Sequence, residues 1–158
     1  MGRLLGQAGQ MDIAGMLAYI LAALSAVNPP PSGSWAQTLT QLDDRRSQAF
    51  SRADVTLLRG VYAGASSLRD ADAATVRAYA RRGWQVEGVR FRLIDVEVIA
   101  ERDRTVTLGV VDQLQPVRVR KAGHPWTILP RDQATQRRIV LTRSRAGWRI
   151  SEVTRVAG

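Results

Sequence analysis

Three carboxylates in the second half of this sequence could do acid–base work: Asp95, Glu97 and Asp112. In "VRFRLIDVEVIA" alternation by two puts Asp95 and Glu97 on one strand face with Phe91, Leu93 and Ile99. Ile94, Val96 and Val98 share the other face with Arg90 and Arg92, so both faces are mixed. Either a bulge or sheet edge exchanges inside for outside, or the two carboxylates face a pocket. Carboxylates two apart on a strand are ordinarily solvated, and the residues favour that reading. Tyr62 and Tyr79 could donate a phenol. Both fall on apolar helical stripes, where a core aromatic with a bonded hydroxyl is the expected role. His124 lies in "KAGHPW" with no acidic neighbour to fix its tautomer, and reads as exposed.

The composition excludes other chemistry. Without cysteine there is no disulfide, thiolate nucleophile or thiolate metal site, and a single histidine excludes a multi-histidine metal site within one chain. Neither a phosphate-cradling glycine loop nor a nucleophile elbow is present, and no cofactor is implied.

The net charge is +9, and only Lys121 of the 23 basic residues is a lysine. Arg81–Gly158 carries 16 basic and 8 acidic residues, so almost all of the surplus lies there. Arg90 and Arg92, Arg118 and Arg120, and Arg143 and Arg145 are pairs spaced by two. On adjacent strands such pairs would project to one side and line up as an arginine band, suited to anionic lipid or an acidic partner. Plain solvation of a sheet face is the alternative. Nucleic acid fits less well, because no aromatic alternates with the pairs on their own face.

The elements that would position these residues change period once. Ser34-Trp35-Ala36-Gln37 has the form of a capping box. Trp35, Leu39, Leu42, Ala49 and Phe50 follow at helical spacing to about Phe50, with Asp43 and Asp44 on the expected wet face. Val55, Leu58, Val61 and Tyr62 mark a shorter helix ending near Gly64. Asp70 or Asp72 caps a third, closed by Arg81-Arg82-Gly83. Beyond Gly83 the pattern alternates: Val86–Ala100, Thr105–Val111, Gln115–Arg120, Ile139–Arg143 and Trp148–Val153 read as strands. Glu101–Arg104 and Ser144–Gly147 read as turns, and Lys121–Gln133, with Pro125 and Pro130, as a loop or irregular edge.

Residues 1–33 read as a separate unit. Ile13–Val27 is uncharged and apolar on every side, and as a helix would span about 22 Å. That is short against a bilayer core of ~30 Å but adequate for an export signal. Asp12 fits poorly in either, and a packed helix capped by Asp12 is the alternative. Asn28-Pro-Pro-Pro-Ser-Gly33 stops the run and forms a stiff linker. The expected domains are therefore 1–33, a signal- or anchor-like helix with its linker, and 34–158, a folded domain that is membrane-anchored or exported, or else cytoplasmic.

Three helices followed by four to six antiparallel strands make an α+β fold. From Ser34 to Val156 this arrangement resembles the nuclear transport factor 2-like superfamily, which includes ketosteroid isomerase and polyketide cyclases and in which the helices pack on a curved sheet. The stretches that carry it are "FSRAD", "LRDADAATVRAYA" and "RAGWRISEV". The apolar head and proline linker resemble membrane-anchored actinobacterial members with an extracytoplasmic domain. The resemblance implies a cone with a pocket, and for the anchored members a scaffold in an envelope complex. Its partners would be an envelope-complex protein or a second copy of the chain. A cone-pocket lyase or isomerase using Asp95, Glu97 or Asp112, and a cytoplasmic ligand-binding module, are the alternatives. Fold alone does not choose among them.

Overall fold

A computed structural model describes residues 34–130 and 132–156. The expected head helix and linker, 1–33, lie outside the described residues. Helix α1 spans Ser34–Arg52 and buries Ala36, Leu39, Leu42, Ser47, Ala49 and Phe50 along one stripe. Ala53, at φ 52°, ends it. Asp54 then accepts hydrogen bonds from the backbone N–H and the hydroxyl of Thr56, capping a 3₁₀ helix at Val55–Gly60. Helix α2 covers Ser67–Arg81 and starts earlier than an Asp70 or Asp72 cap would place it, with Ser66 at the N-cap. Asp72 is drawn elsewhere, as described below.

Seven strands follow. β1 (Trp84–Glu87), β4 (Arg118–Lys121) and β5 (Thr127–Ile128) form one antiparallel sheet in the order β1-β4-β5. β2 (Phe91–Arg102), β3 (Thr105–Leu114), β6 (Thr135–Ser144) and β7 (Gly147–Arg155) form the other, in the order β2-β3-β6-β7. The count exceeds four to six for two reasons. The alternating stretch 86–100 is two strands, and the proline-flanked segment contributes a two-residue edge. The break falls at Gly88, whose φ of 78° is left-handed. A Cβ there would stand 3.1 Å from the carbonyl oxygen of Pro116, so glycine is required to turn the chain from one sheet into the next.

Bulges bend the larger sheet. Pairing runs Leu93–Asp112 and then Asp95–Val111, and again Val98–Leu108 and then Ala100–Thr107, leaving Ile94 and Ile99 as extra residues. β7 carries a third extra residue, Ser151, opposite Val140 and Leu141. Bulges increase the local twist and bend.

Burial forms two clusters. The larger gathers Leu39, Leu42, Leu58 and Val61 from the helical part with Val106, Leu108, Val110 and Leu141 from the four-stranded sheet. Trp148 packs edge-on against Trp35 at 4.9 Å and belongs to this core. The smaller joins Phe50 and Val76 to Val86, Val89, Val117 and Val119 around the three-stranded sheet. Among the described residues no helix is long and apolar enough to cross a membrane.

Candidate functional site

The helices and the bent sheet enclose a pocket of about 250 Å³. α1 supplies Leu39, Asp43 and Arg46. The three follow one another at spacings of four and three, and Phe50 comes four later, so the two polar residues continue the buried stripe of the helix. α2 supplies Leu68 and Asp72, four apart. The segment after the 3₁₀ helix is pinned to β7 by hydrogen bonds from Ala63 N–H to the Ile150 carbonyl and from Ile150 N–H to the Val61 carbonyl. That fixes Tyr62 at the wall. Phe91 and Leu93 from β2, Asp112 from β3 and Arg137 from β6 complete the polar side, with Ile150 and Val153 from β7 opposite.

Arg46 and Asp72 make a two-pronged pair: Nε donates to Oδ2 at 2.6 Å and Nη2 to Oδ1 at 3.0 Å. The Tyr62 hydroxyl donates to the same Oδ2 at 2.6 Å. Burial works against the charge of Arg46. The hydrogen bonds and charge of Asp72 outweigh it and hold the guanidinium protonated well above its ordinary range. Burial also pushes the Tyr62 phenol up; the Arg46 charge opposes this and the Asp72 charge adds to it. Nη1 of Arg46 is buried with no acceptor among the described residues. A donor in that state carries a desolvation cost that a ligand oxygen would relieve.

Asp112 on β3 and Arg137 on β6 are diagonal neighbours, Asp112 standing opposite Thr135 and Arg137 opposite Val110. Oδ1 and Nε lie 3.1 Å apart, an ion-pair distance, but off the line of a hydrogen bond. The contact is therefore mainly coulombic. Burial raises the Asp112 carboxyl, against the pull of Arg137. Arg137 and Arg46 both lie over the Phe91 ring, at 4.7 and 5.5 Å, and its π-system attracts each.

Asp43 is different. Its Oδ2 accepts the backbone N–H of Phe91 at 2.7 Å, tying α1 to the start of β2. No arginine lies within ion-pair distance of it among the described residues. Burial pushes its carboxyl from 3.8 up to about 6, despite the Phe91 hydrogen bond and the charge of Arg46.

Of the residues the sequence nominates, the structure brings Tyr62 and Asp112 into this pocket. Tyr79 lies apart, against the smaller core. Asp95 and Glu97 are exposed. The bulge at Ile94 turns Phe91 and Leu93 inward and the two carboxylates outward, so strict alternation over that stretch does not hold. The arginine band does not form. Arg118 and Arg120 lie in the three-stranded sheet, Arg92 and Arg143 sit at opposite ends of the other, and Arg145 is in the β6–β7 turn. Arg90 precedes β2 and pairs with Asp44 at 2.7 Å. His124 is exposed in the turn after β4. Among the described residues no cluster of metal-ligating side chains is present. Asp43, Arg46, Asp72 and Arg137 are the pocket residues that the sequence reading passes over.

No protein-family model matches the chain, and no curated protein matches it. Solved structures do. The intermembrane-space region of the chloroplast protein ARC6 superposes with a TM-score of 0.50 at 16% identity, covering 77% of this chain and 96% of that one. Aln2 from a Streptomyces species gives 0.50 at 22% identity, over 80% of this chain and 93% of that one. A nuclear transport factor 2-like superfamily protein from Salmonella enterica gives 0.46 at 12% identity, over 77% and 89%. The chain shares its α+β fold with the first two of these. Identities this low establish architecture and nothing about activity. In this fold the bent four-stranded sheet is the wall of the pocket and the helices are the closure.

Proposed function

We propose that the protein binds a small organic molecule inside its cone and exchanges a proton with it through Asp43. One observation carries this reading: three carboxylates share a pocket and are treated unequally. Asp72 and Asp112 each face an arginine, whereas Asp43 has none at ion-pair distance among the described residues and is raised to about 6. A carboxyl with its pKa close to the working pH is best placed to take and return a proton. Leu39, Val61, Leu68, Ile139, Ile150 and Val153 suit an apolar body. Nη1 of Arg46 suits a carbonyl or hydroxyl oxygen. A space of about 250 Å³ falls below the ~300–1,000 Å³ usual for drug-sized ligands and sets a small size limit. Isomerisation or elimination next to a carbonyl fits this set. Asp43 would take the proton from carbon, and Arg46 would meet the oxygen that gains charge.

2-Naphthol, a small apolar body with one hydroxyl, tests this by its own fluorescence. The full chain should bind it saturably, with a pH dependence centred near pH 6. Leu68→Trp, which fills the pocket, should abolish binding, and Asp43→Asn should remove the pH dependence. Absent saturation, or binding untouched by Leu68→Trp, would sink the reading.

A second reading is an assembly domain of an envelope-associated complex, tethered to or exported across a membrane, with a partner protein or a second copy bound. The apolar run Ile13–Val27 and the positive surplus of the C-terminal half favour it. Cell fractionation with mass spectrometry of the N-terminus checks it. An uncleaved chain found wholly in the soluble fraction would count against it.

A further inference from the structure

The three-stranded sheet has an outer face whose rows follow from its register. Gln85 stands opposite Arg120, while Glu87, Arg118 and Ile128 form the next row across β1, β4 and β5. Val86 and Val119, the residues between, are buried on the inner side. Trp126 precedes β5, and its ring lies under two guanidinium groups, Arg120 at 4.4 Å and Arg118 at 5.1 Å. Ile128 is 65% exposed, more than any other exposed large hydrophobic residue of the described chain. The segment Gln115–Pro130 contains three cations and no carboxylate. The face's own carboxylate, Glu87, accepts a hydrogen bond from Arg118 at 2.6 Å. Arg120 has no carboxylate partner among the described residues, while Lys121 falls on the other side, opposite Trp84 and 5.4 Å from its ring.

We infer that this face docks on an anionic lipid surface. Arg118 and Arg120 meet headgroup phosphates, and Trp126 and Ile128 enter the interfacial layer. A single exposed isoleucine is unremarkable by itself. Here it shares a strand edge with an amphipathic indole and is bordered by cations, the pattern that suits a charged interface with an apolar depth. Single-stranded nucleic acid suits it less. That partner stacks bases on free aromatic faces. The one aromatic on this face already holds two guanidinium groups, and Ile128 cannot stack. The inference is independent of the pocket, which lies in the other core.

The test is co-sedimentation of the full chain with phosphatidylcholine vesicles, with and without phosphatidylglycerol. Because Ile13–Val27 can partition into lipid by itself, the readout is the difference between variants of the same full chain. Arg118→Glu with Arg120→Glu should weaken binding to the anionic vesicles roughly tenfold or more and leave binding to neutral vesicles unchanged. Ile128→Ser should weaken binding at high salt, where the charge attraction is screened. Trp126→Phe should remove a blue shift of tryptophan emission on adding anionic vesicles. If the double reversal does not fold, judged by circular dichroism, Arg118→Gln with Arg120→Gln keeps the side-chain stems and decides the question in the same direction. Unchanged vesicle binding in the folded charge variants and in Ile128→Ser overturns the inference. So does a result in which those variants lose binding to a single-stranded DNA oligonucleotide while keeping their vesicle binding.

Discussion

Asp43 comes four residues after Leu39 and three before Arg46, so the helix that buries the leucine cannot keep the carboxylate in water. Its pKa rises from 3.8 to about 6, which has a thermodynamic sign. The folded state holds the proton to a higher pH than the unfolded chain does. Stability from this group is therefore full below about pH 4 and is lost as the pH rises to about 6. Asp43→Asn removes the titration while keeping an acceptor for the Phe91 N–H. It should raise stability at pH 8 by about 2 kcal/mol relative to its effect at pH 4, a value discounted because the carboxyl is only half-buried. Urea unfolding of both proteins at the two pH values measures this. An equal difference at both would refute it. The placement was within reach of the sequence, because 39, 43, 46 and 50 form one stripe. It is missed when polar residues inside an amphipathic pattern are assigned to the wet face by type and not by position. Asp72 is a different case. Near a helix start an aspartate reads as a cap, and only the arrival of Arg46 and Tyr62, 26 and 10 residues away, shows otherwise. Arg137 sits beside Arg138, and adjacent arginines on a strand do not reveal which one points in.

At the scale of elements, the order of helices and strands was legible because the period changes once, at Gly83, from helical to alternating. The division of the strands between two sheets was not. Val86–Ala100 reads as one alternating strand, and the residue that cuts it is Gly88, through its left-handed φ and the carbonyl of Pro116. Gly88→Ala should cost about 2 kcal/mol, since it combines a strained backbone with a close contact. A urea midpoint within error of the unsubstituted protein would show that the turn tolerates a side chain. The arginine band failed at the same residue. Once the chain changes sheets there, Arg118 and Arg120 no longer neighbour Arg92.

For the whole molecule, two cores of unequal size predict unequal resistance to opening. The larger is covered by α1 and built on ten-residue strands, while the smaller lies against a sheet whose outer strand, β5, has two residues, both exposed. Amides of Val106–Val110 should exchange slowest, close to the rate of global unfolding, and those around Thr127 and Ile128 much faster. Hydrogen exchange read by mass spectrometry decides this, and uniform protection across both sheets would show a single cooperative unit. Rapid opening of that edge also suits a face that meets a soft surface.

The bulges at Ile94, Ile99 and Ser151 carry one last consequence. Each is a residue that one strand has and its neighbour lacks, and the accumulated excess of chain length makes the sheet bow. The hollow is thus set by a mismatch in residue number between paired strands. Substitutions at the lining change what the pocket accepts. Deleting Ile94 would leave Leu93 facing in and Asp95 facing out, yet straighten the wall and take away the room behind it. For a lineage built on this domain, single-residue insertions and deletions in β2 and β7 are therefore the changes that resize the site, while substitutions retune it.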